Sequence, residues 1–368
     1  MRIGIDARLT HYRQAGISTY TVSLLRALAE VDADDEFTVL QSRKSHEHIV
    51  TAPNVRRKSL WTPAHHRWEQ VALPLELAPL GLDLLHSPDF IPPFHRRCRA
   101  VVTIHDLAFL RYPETLTDES RRYYRQVKRA VESADAVIAV SESTKDDIVE
   151  LLGEPERKIA VVYEAAANRF RPVPPADYVE ALRARFDVQP GYFLFVSTIE
   201  PRKNLLTLLR AYALLHSGRR ASLPPLVVAG AKGWLKEPAL DEMVPLPHGS
   251  VRFVGAVTDE ELLWLYNGAL ALTYPSLYEG FGLPPLEAMA CGTPVICSNT
   301  SSLPEVVGEA GLLVAPLDED GWARAMGQVL EDETLRQGIS AKGLERVKEF
   351  SWEKAARETL AVYRKAVR

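Results

Sequence analysis

The stretch "YPSLYEGFGLPPLEAMACGTPVI", from Tyr274 to Ile296, sets two glutamates, Glu279 and Glu287, around a Gly-Phe-Gly turn and a pair of prolines. Proline has a fixed φ and no N–H, so it is tolerated in the first turn of a helix and almost nowhere else inside one. The pair predicts a helix that begins near Leu283 to Pro285, runs through Leu286, Ala288, Met289 and Ala290, and stops at Gly292. Thr293 to Cys297 then reads as a short buried strand, so the segment is loop, helix, strand: one unit of an α/β sheet. Because Pro284 and Pro285 carry no donor, the helix start presents the amides of Phe281, Gly282 and Leu283 at the positive end of the dipole. That is an anion site, and Gly280 and Gly282 let a ligand approach the backbone. Glu279 falls in the loop and Glu287 about one turn inside the helix, so both can face one pocket. The plain alternatives are a solvated Glu279 and a Glu287 that only offsets unpaired N–H groups.

The same alternation extends in both directions. Strands are expected at Ile3–Asp6, Phe37–Leu40, Leu82–Leu85, Val101–Ile104, Ala136–Val140 and 159–162, with helices over 19–31, 118–133 and 143–152. After the Pro-rich "RFRPVPPADY" (169–178) the pattern restarts, with strands at 192–196, 226–229, 251–254, 270–273, 293–297 and 312–314. Strands alternating with helices imply a parallel sheet. The expected architecture is α/β: two Rossmann-like, doubly wound, parallel-sheet domains, residues 1–170 and 178–351, facing each other across a cleft where ligands bind at strand carboxyl ends. The closing "SWEKAARETLAVYRKAV" reads as an amphipathic helix (352–368) with Trp352, Ala356, Leu360 and Tyr363 on one side, expected to pack back toward the N-terminal domain.

Composition narrows the function. With 368 residues, 46% hydrophobic and 25% charged, the chain suits two soluble globular domains. Lys plus Arg total 44 against 48 Asp plus Glu, a net charge of −4 that argues against a dedicated nucleic-acid binder. Cys98, Cys291 and Cys297 are too scattered for a disulfide framework or a metal cluster, which points to a reducing cytoplasm. The opening "MRIGIDARLT" reads as a charged strand rather than a leader, and no run of 18 apolar residues is present. The turn after the first strand, "GIDARLTHYRQAG", lacks G-x-G-x-x-G, so NAD(P) binding is not expected.

Several turns carry side chains suited to chemistry. In "FVSTIEPRKNLLTLLRAY" a strand ends at Ser197 and a polar turn leads into a helix, which puts Arg202 and Lys203 where both can reach a phosphate. In "VVTIHDLAF", His105 follows a strand directly; in "RQAGIST", Gly16 opens a helix as a second candidate anion site. His86 and Asp89 of "LLHSPD" read as loop structure, and the acidic pairs Asp32/Asp34 and Asp318/Asp320 read as solvated turns rather than metal ligands. No essential metal is expected.

Taken together, "YEGFGLPPLEAMACGTPVI", "STIEPRKN", "TIHDL", "VSESTKDDI", "RFVGAVTDEEL", "LPEVVGEAGLLVAP" and the closing helix resemble the recurrent blocks of the retaining glycosyltransferases of family four, whose fold is GT-B and whose signature is E-x₇-E. The resemblance covers nearly the whole chain. It implies transfer of a hexose, most simply mannose from GDP-mannose, from a nucleotide-sugar donor to a hydroxyl of a glycan or lipid-linked acceptor. UDP- or ADP-sugars are the alternative donors; a nucleotide-sugar epimerase or a non-catalytic nucleotide-sugar binding protein are the rival functions. It further implies Arg202 and Lys203 on the diphosphate, Glu287 on the ribose, Glu279 on hydroxyls of the transferred sugar, and amides of Phe281, Gly282 and Leu283 near sugar or phosphate. Gly16 would approach the diphosphate from the first domain, and His105 would contact the sugar or acceptor. No cofactor is implied. The chain departs from the family where Ala15-Gly16 replaces the frequent Gly-Gly and where Ser197 stands in place of a common Gly. "RWEQ" (67–70) looks like bacterial members that act on polysaccharide or lipid-linked intermediates. The basic stretches "HRRCR" (95–99) and "RRYYRQVKR" (121–129) suggest a cytoplasmic enzyme peripheral to the inner face of a membrane.

Overall fold

The computed structural model describes residues 1–12, 16–113, 121, 123–217, 223–231 and 246–368. Ala15, Arg122 of the second basic stretch, and the beginning of the helix expected over 118–133 lie outside the described residues. The chain divides into two compact units, one formed by Met1–Glu164 with Ser351–Arg368, the other by Ala165–Phe350. The division precedes the Pro-rich stretch, which is packed rather than a linker. Phe170 meets Tyr266 edge-on at 5.6 Å, and the Val173 amide donates to Asn267 Oδ1 at 2.9 Å.

The first unit holds a seven-stranded parallel sheet in the order β3-β2-β1-β4-β5-β6-β7, with β1 Arg2–Asp6, β2 Glu36–Ser42, β3 Val55–Leu60, β4 Leu84–Ser87, β5 Arg99–Ile104, β6 Ala136–Ala139 and β7 Ile159–Val161. The central strands β4, β5 and β6 are buried almost end to end, as a sheet covered on both faces requires. β3 was not expected: its sequence VRRKSL is an edge strand whose charges guard the open edge, so it lacks an apolar signal. The C-terminal helix, Trp352–Val367, belongs to this unit, where Ala356, Leu360 and Tyr363 share a core with Tyr20, Leu24 and Leu28.

Two polar residues lie elsewhere than their sequence context suggests. His86 is not in a loop but inside β4, fully buried, 2.8 Å from Thr103 Oγ1 and 2.6 Å from the Tyr363 hydroxyl; burial, then the charge of His105, holds its pKa down to about 3. Asp32 is buried rather than solvated: its carboxylate accepts the Asp34 and Asp35 amides and pairs with Arg364. Asp318 caps the helix Glu319–Glu331 by accepting the Gly321 amide at 2.9 Å.

The second unit holds six parallel strands in the order β10-β9-β8-β11-β12-β13, with β8 Tyr192–Val196, β9 Leu226–Ala229, β10 Val251–Gly255, β11 Ala269–Tyr274, β12 Val295–Ser298 and β13 Leu312–Val314. Its core gathers Phe193, Phe195, Leu208, Tyr212, Val228 and Trp322. In each sheet the winding reverses at one place, between β1 and β4 in the first and between β8 and β11 in the second. Open parallel sheets bind ligands outside the strand carboxyl ends at that reversal, because the following connections diverge to opposite faces and leave a crevice. Those ends are Asp6 and Ser87 in the first unit, Val196 and Tyr274 in the second.

Candidate functional site

The reversal in the second unit brings together side chains more than seventy positions apart. β8 leads into the turn Glu200–Asn204 and β11 into the loop Pro275–Gly282. The two are stitched: Leu277 N–H donates to Arg202 O at 2.9 Å, and Asn204 Nδ2, from a residue at φ 57°, donates to Pro275 O at 3.0 Å. At the centre, Lys203 Nζ donates to Glu279 Oε1 at 2.6 Å, and the Tyr274 hydroxyl donates to the same oxygen at 2.7 Å. Arg202 donates to Glu279 Oε2 at 3.4 Å, to Tyr278 O at 2.7 Å and to Glu200 Oε1 at 2.8 Å. Lys203 and Glu279 are each only 8% exposed, so this is a buried ion pair. Burial pushes the Glu279 carboxyl up, but the charges of Lys203 and Arg202 outweigh it and bring the pKa to about 2. Burial and the neighbouring Arg202 charge lower that of Lys203.

The helix expected after the prolines spans Leu283–Ala290, preceded by Gly282 at φ 115° and followed by Gly292 at φ 74°. A Cβ on Gly282 would meet only the movable end of the Leu303 side chain, at 2.9 Å, so it is the positive φ that calls for glycine there. Ser301 and Ser302 clamp the loop, groups that sequence reading missed because nothing local links them to it. The Glu279 amide donates to Ser301 Oγ at 2.9 Å, and Ser302 Oγ lies 3.0 Å from Glu279 O and 2.6 Å from Phe281 O. Phe281, Gly282 and Leu283 therefore sit beside the Lys203–Glu279 pair, while Glu287 lies one turn on with partners of its own. Its Oε2 accepts the Tyr266 hydroxyl at 2.9 Å, and burial raises its pKa to about 7 against the weaker pull of Tyr266 and Arg169.

The first unit places the two other candidates. His105 follows β5 with both ring nitrogens engaged, Nδ1 with Glu164 Oε1 at 2.9 Å and Nε2 with Pro88 O at 3.0 Å. Two acceptors favour two N–H groups, that is, the charged form of the ring. Burial opposes that charge, but Glu164 raises the pKa overall. No ring nitrogen is left for a substrate, and what His105 fixes is the backbone at Pro88. Gly16 begins the helix Gly16–Val31, and a Cβ there would meet open space among the described residues, so packing does not demand the glycine.

A family model described as Glycosyltransferase Family 4 matches residues 15–165, and one described as Glycosyl transferases group 1 matches residues 182–346. The O-antigen chain mannosyltransferase B of Escherichia coli is 34% identical over 382 residues, covering 99% of this chain and 100% of that protein. The O-antigen chain mannosyltransferase RfbU of Salmonella typhimurium is 30% identical over 342 residues, covering 88% and 89%. Among solved structures, the sucrose-phosphate synthase of Thermosynechococcus elongatus matches 99% of this chain and 98% of its own with a TM-score of 0.77 at 23% identity, a likeness of fold. The chain belongs to the glycosyltransferases of family four, with the GT-B arrangement of one Rossmann-like unit per half.

Proposed function

We propose that this glycosyltransferase moves mannose from GDP-mannose to a hydroxyl of a glycan or lipid-linked acceptor, with retention at the anomeric carbon. The observation that carries the reading is the buried Lys203–Glu279 pair, flanked by Arg202 and a helix start, at the winding reversal of the second sheet. Two relatives named as mannosyltransferases support the choice of sugar.

As the bond between the anomeric carbon and the diphosphate oxygen breaks, negative charge grows on the leaving group. Arg202, Lys203 and the amides at Phe281, Gly282 and Leu283 are fixed where they meet that charge without reorganising. Glu279 holds Lys203 in place and receives hydroxyls of the transferred sugar. The acceptor oxygen bonds to the anomeric carbon on the face the diphosphate leaves, and its proton passes to a diphosphate oxygen. Within the first unit, Gly16 leaves the start of its helix open to a phosphate, and His105 acts through its charge and its hold on Pro88. These groups supply the positive charge the diphosphate needs, so the reading includes transfer without a divalent metal. A thermal-shift and turnover panel of GDP-, UDP- and ADP-sugars in EDTA tests it: stabilisation and transfer with GDP-mannose support it, and a response to UDP- or ADP-sugars alone refutes the donor.

Glu287 supplies an independent readout. Ribose hydroxyls donate to a carboxylate, so binding favours the ionised form of a group that burial holds at about 7. Donor binding should release a proton, and affinity should rise with pH between about 5 and 8. Calorimetry in two buffers of different ionisation heat checks this, and Glu287→Gln should remove both effects.

Peripheral attachment to an anionic membrane completes the proposal. No helix among the described residues is long and apolar enough to cross a membrane. Of the basic stretches, 95–99 is partly committed inward: Arg96 bonds Ser133 O and Arg99 pairs with Asp135. A better surface surrounds the helix Glu69–Leu77, where Trp68, Val71 and Leu75 are 57%, 60% and 72% exposed at helical spacing. Trp61 is 71% exposed, and the guanidiniums of Arg43 and Arg67 lie 4.1 and 5.8 Å from the Trp61 and Trp68 rings. Apolar rings beside cations suit an interface with anionic lipid. Co-sedimentation with phosphatidylglycerol vesicles, but not phosphatidylcholine vesicles, is expected, and Trp68→Ser with Leu75→Ser should reduce it; equal binding to both vesicles would contradict the surface.

A further inference from the structure

The reversal in the first sheet has a chemistry of its own that the donor site does not use. Asp6 ends β1 and Ser87 ends β4, and the two strands are neighbours. Arg8, 1% exposed, lies between Asp6 and Glu69: its Nε donates to Asp6 Oδ1 at 2.9 Å, its Nη2 to Asp6 Oδ2 at 2.6 Å and to Glu69 Oε1, and its Nη1 to Thr62 O at 3.0 Å. Glu69 in turn accepts the amide of His65, a residue held at φ 60°. His65 Nε2 bonds Asp89 Oδ2, which also accepts the Tyr123 hydroxyl at 3.2 Å, and the His65 and Tyr123 rings lie 3.9 Å apart. These groups line a cavity of about 10 Å³ together with Ser87, room for one water-sized group. Ser87 is 2% exposed, and its Oγ has no hydrogen-bond partner among the described residues. A buried hydroxyl left unpaired costs stability, about 1–3 kcal/mol, unless a ligand satisfies it.

We infer that this pocket is a carbohydrate subsite: it takes one hydroxyl of an uncharged acceptor sugar, held by Ser87 Oγ and Asp89 Oδ1. The inference rests on the glycosyl-transfer reading above and names the substrate class on the acceptor side. Three features fix that class. The cavity has the size of a hydroxyl. Its polar groups combine a donor-acceptor hydroxyl with carboxylate acceptors, the mixture a sugar alcohol satisfies. Its charge, Asp6, Glu69 and Asp89 against the single guanidinium of Arg8, repels phosphate and carboxylate. The same segment, Trp61 to Glu69, carries the exposed tryptophans and the pocket's His65 and Glu69, which suits a sugar presented close to a lipid surface.

Saturation-transfer NMR with an alkyl mannobioside and with its 6-phosphate tests this by binding alone, independently of turnover. Wild-type protein should bind the neutral glycoside and not the phosphate. Ser87→Ala should weaken that binding by about 10-fold while leaving the melting temperature equal or higher, because it removes an unpaired buried hydroxyl. Asp89→Asn should weaken it by a similar factor, and thermal shifts by GDP-mannose should stay at the wild-type value in both variants. Unchanged glycoside binding in both variants, or equal binding of the phosphate, would overturn the inference. If GDP-mannose fails to bind wild-type protein while the glycoside still depends on Ser87, the donor reading falls and this subsite stands.

Discussion

Lys203→Ala is expected to lower kcat/KM by about 100- to 1000-fold, because it removes a fixed positive charge from a site that excludes water. It should also cost about 3–5 kcal/mol of stability, since it leaves Glu279 buried at 8% exposure with its closest counter-ion gone. For a unit of this size that is a fall of about 6–20 °C in Tm. The two effects separate in a double variant. Lys203→Met with Glu279→Gln removes both charges, so much of the stability should return while transfer stays lost. Lys203→Arg should not rescue fully, because a planar guanidinium cannot occupy the position of a compact ammonium between Glu279 and Tyr274. The sign with pH follows from Glu279, whose pKa is lowered from 4.5 to about 2: the stability from the pair is present above pH 4.5 and fades as pH falls toward 2. Full activity in Lys203→Ala would remove the cation from the mechanism.

Gly230→Ala is expected to be the most damaging single methyl in the second unit. Gly230 has φ 146°, and a Cβ there would lie 1.8 Å from the carbonyl oxygen of Ser197 and 2.6 Å from its carbon. Neither side can yield cheaply: Ser197 N–H donates to Ala229 O at 3.0 Å and Gly230 N–H to Gly255 O at 2.8 Å, which lock β8, β9 and β10 at their carboxyl ends. The ends must part, at a cost above about 4 kcal/mol, and the turn carrying Arg202 and Lys203 moves with them. Gly249→Ala is the control, with φ 80° but open space around it among the described residues, and should cost only about 1–2 kcal/mol. Thermal melts with donor-binding titrations check both. A Gly230→Ala protein that melts with the parent would mean the strand ends are looser than described.

The helix after Pro284 and Pro285 was legible because proline and glycine act locally: the prolines set its start, and Gly282 and Gly292 hold the positive φ values at its two ends. The strands Leu226–Ala229 and Leu312–Val314 were equally plain, being short apolar runs between turn signals. What sequence could not show depends on which strands become neighbours. Lys203 and Glu279 meet only because β8 pairs with β11, and Ser301 reaches the Glu279 amide through β12 and its following turn. Sequence reading allowed both glutamates to face one pocket; what it could not show is that Glu279 is held by two cations and Glu287 by a tyrosine, so their carboxyls are driven in opposite directions. His105 was placed correctly after a strand, but the engagement of both its nitrogens depends on Glu164 and Pro88, which no local pattern links to it. His86 and Asp32 misled because polar residues beside turns are usually solvated, and here Tyr363 and Arg364 of the C-terminal helix cover them.

A crystal structure with GDP-mannose bound tests the central claim most directly. The account predicts the diphosphate within hydrogen-bond reach of Arg202 and Lys203, the ribose hydroxyls on Glu287, and the mannose beside Glu279. A nucleotide seated away from the Lys203–Glu279 pair, or in the Ser87 pocket of the first unit, would contradict it.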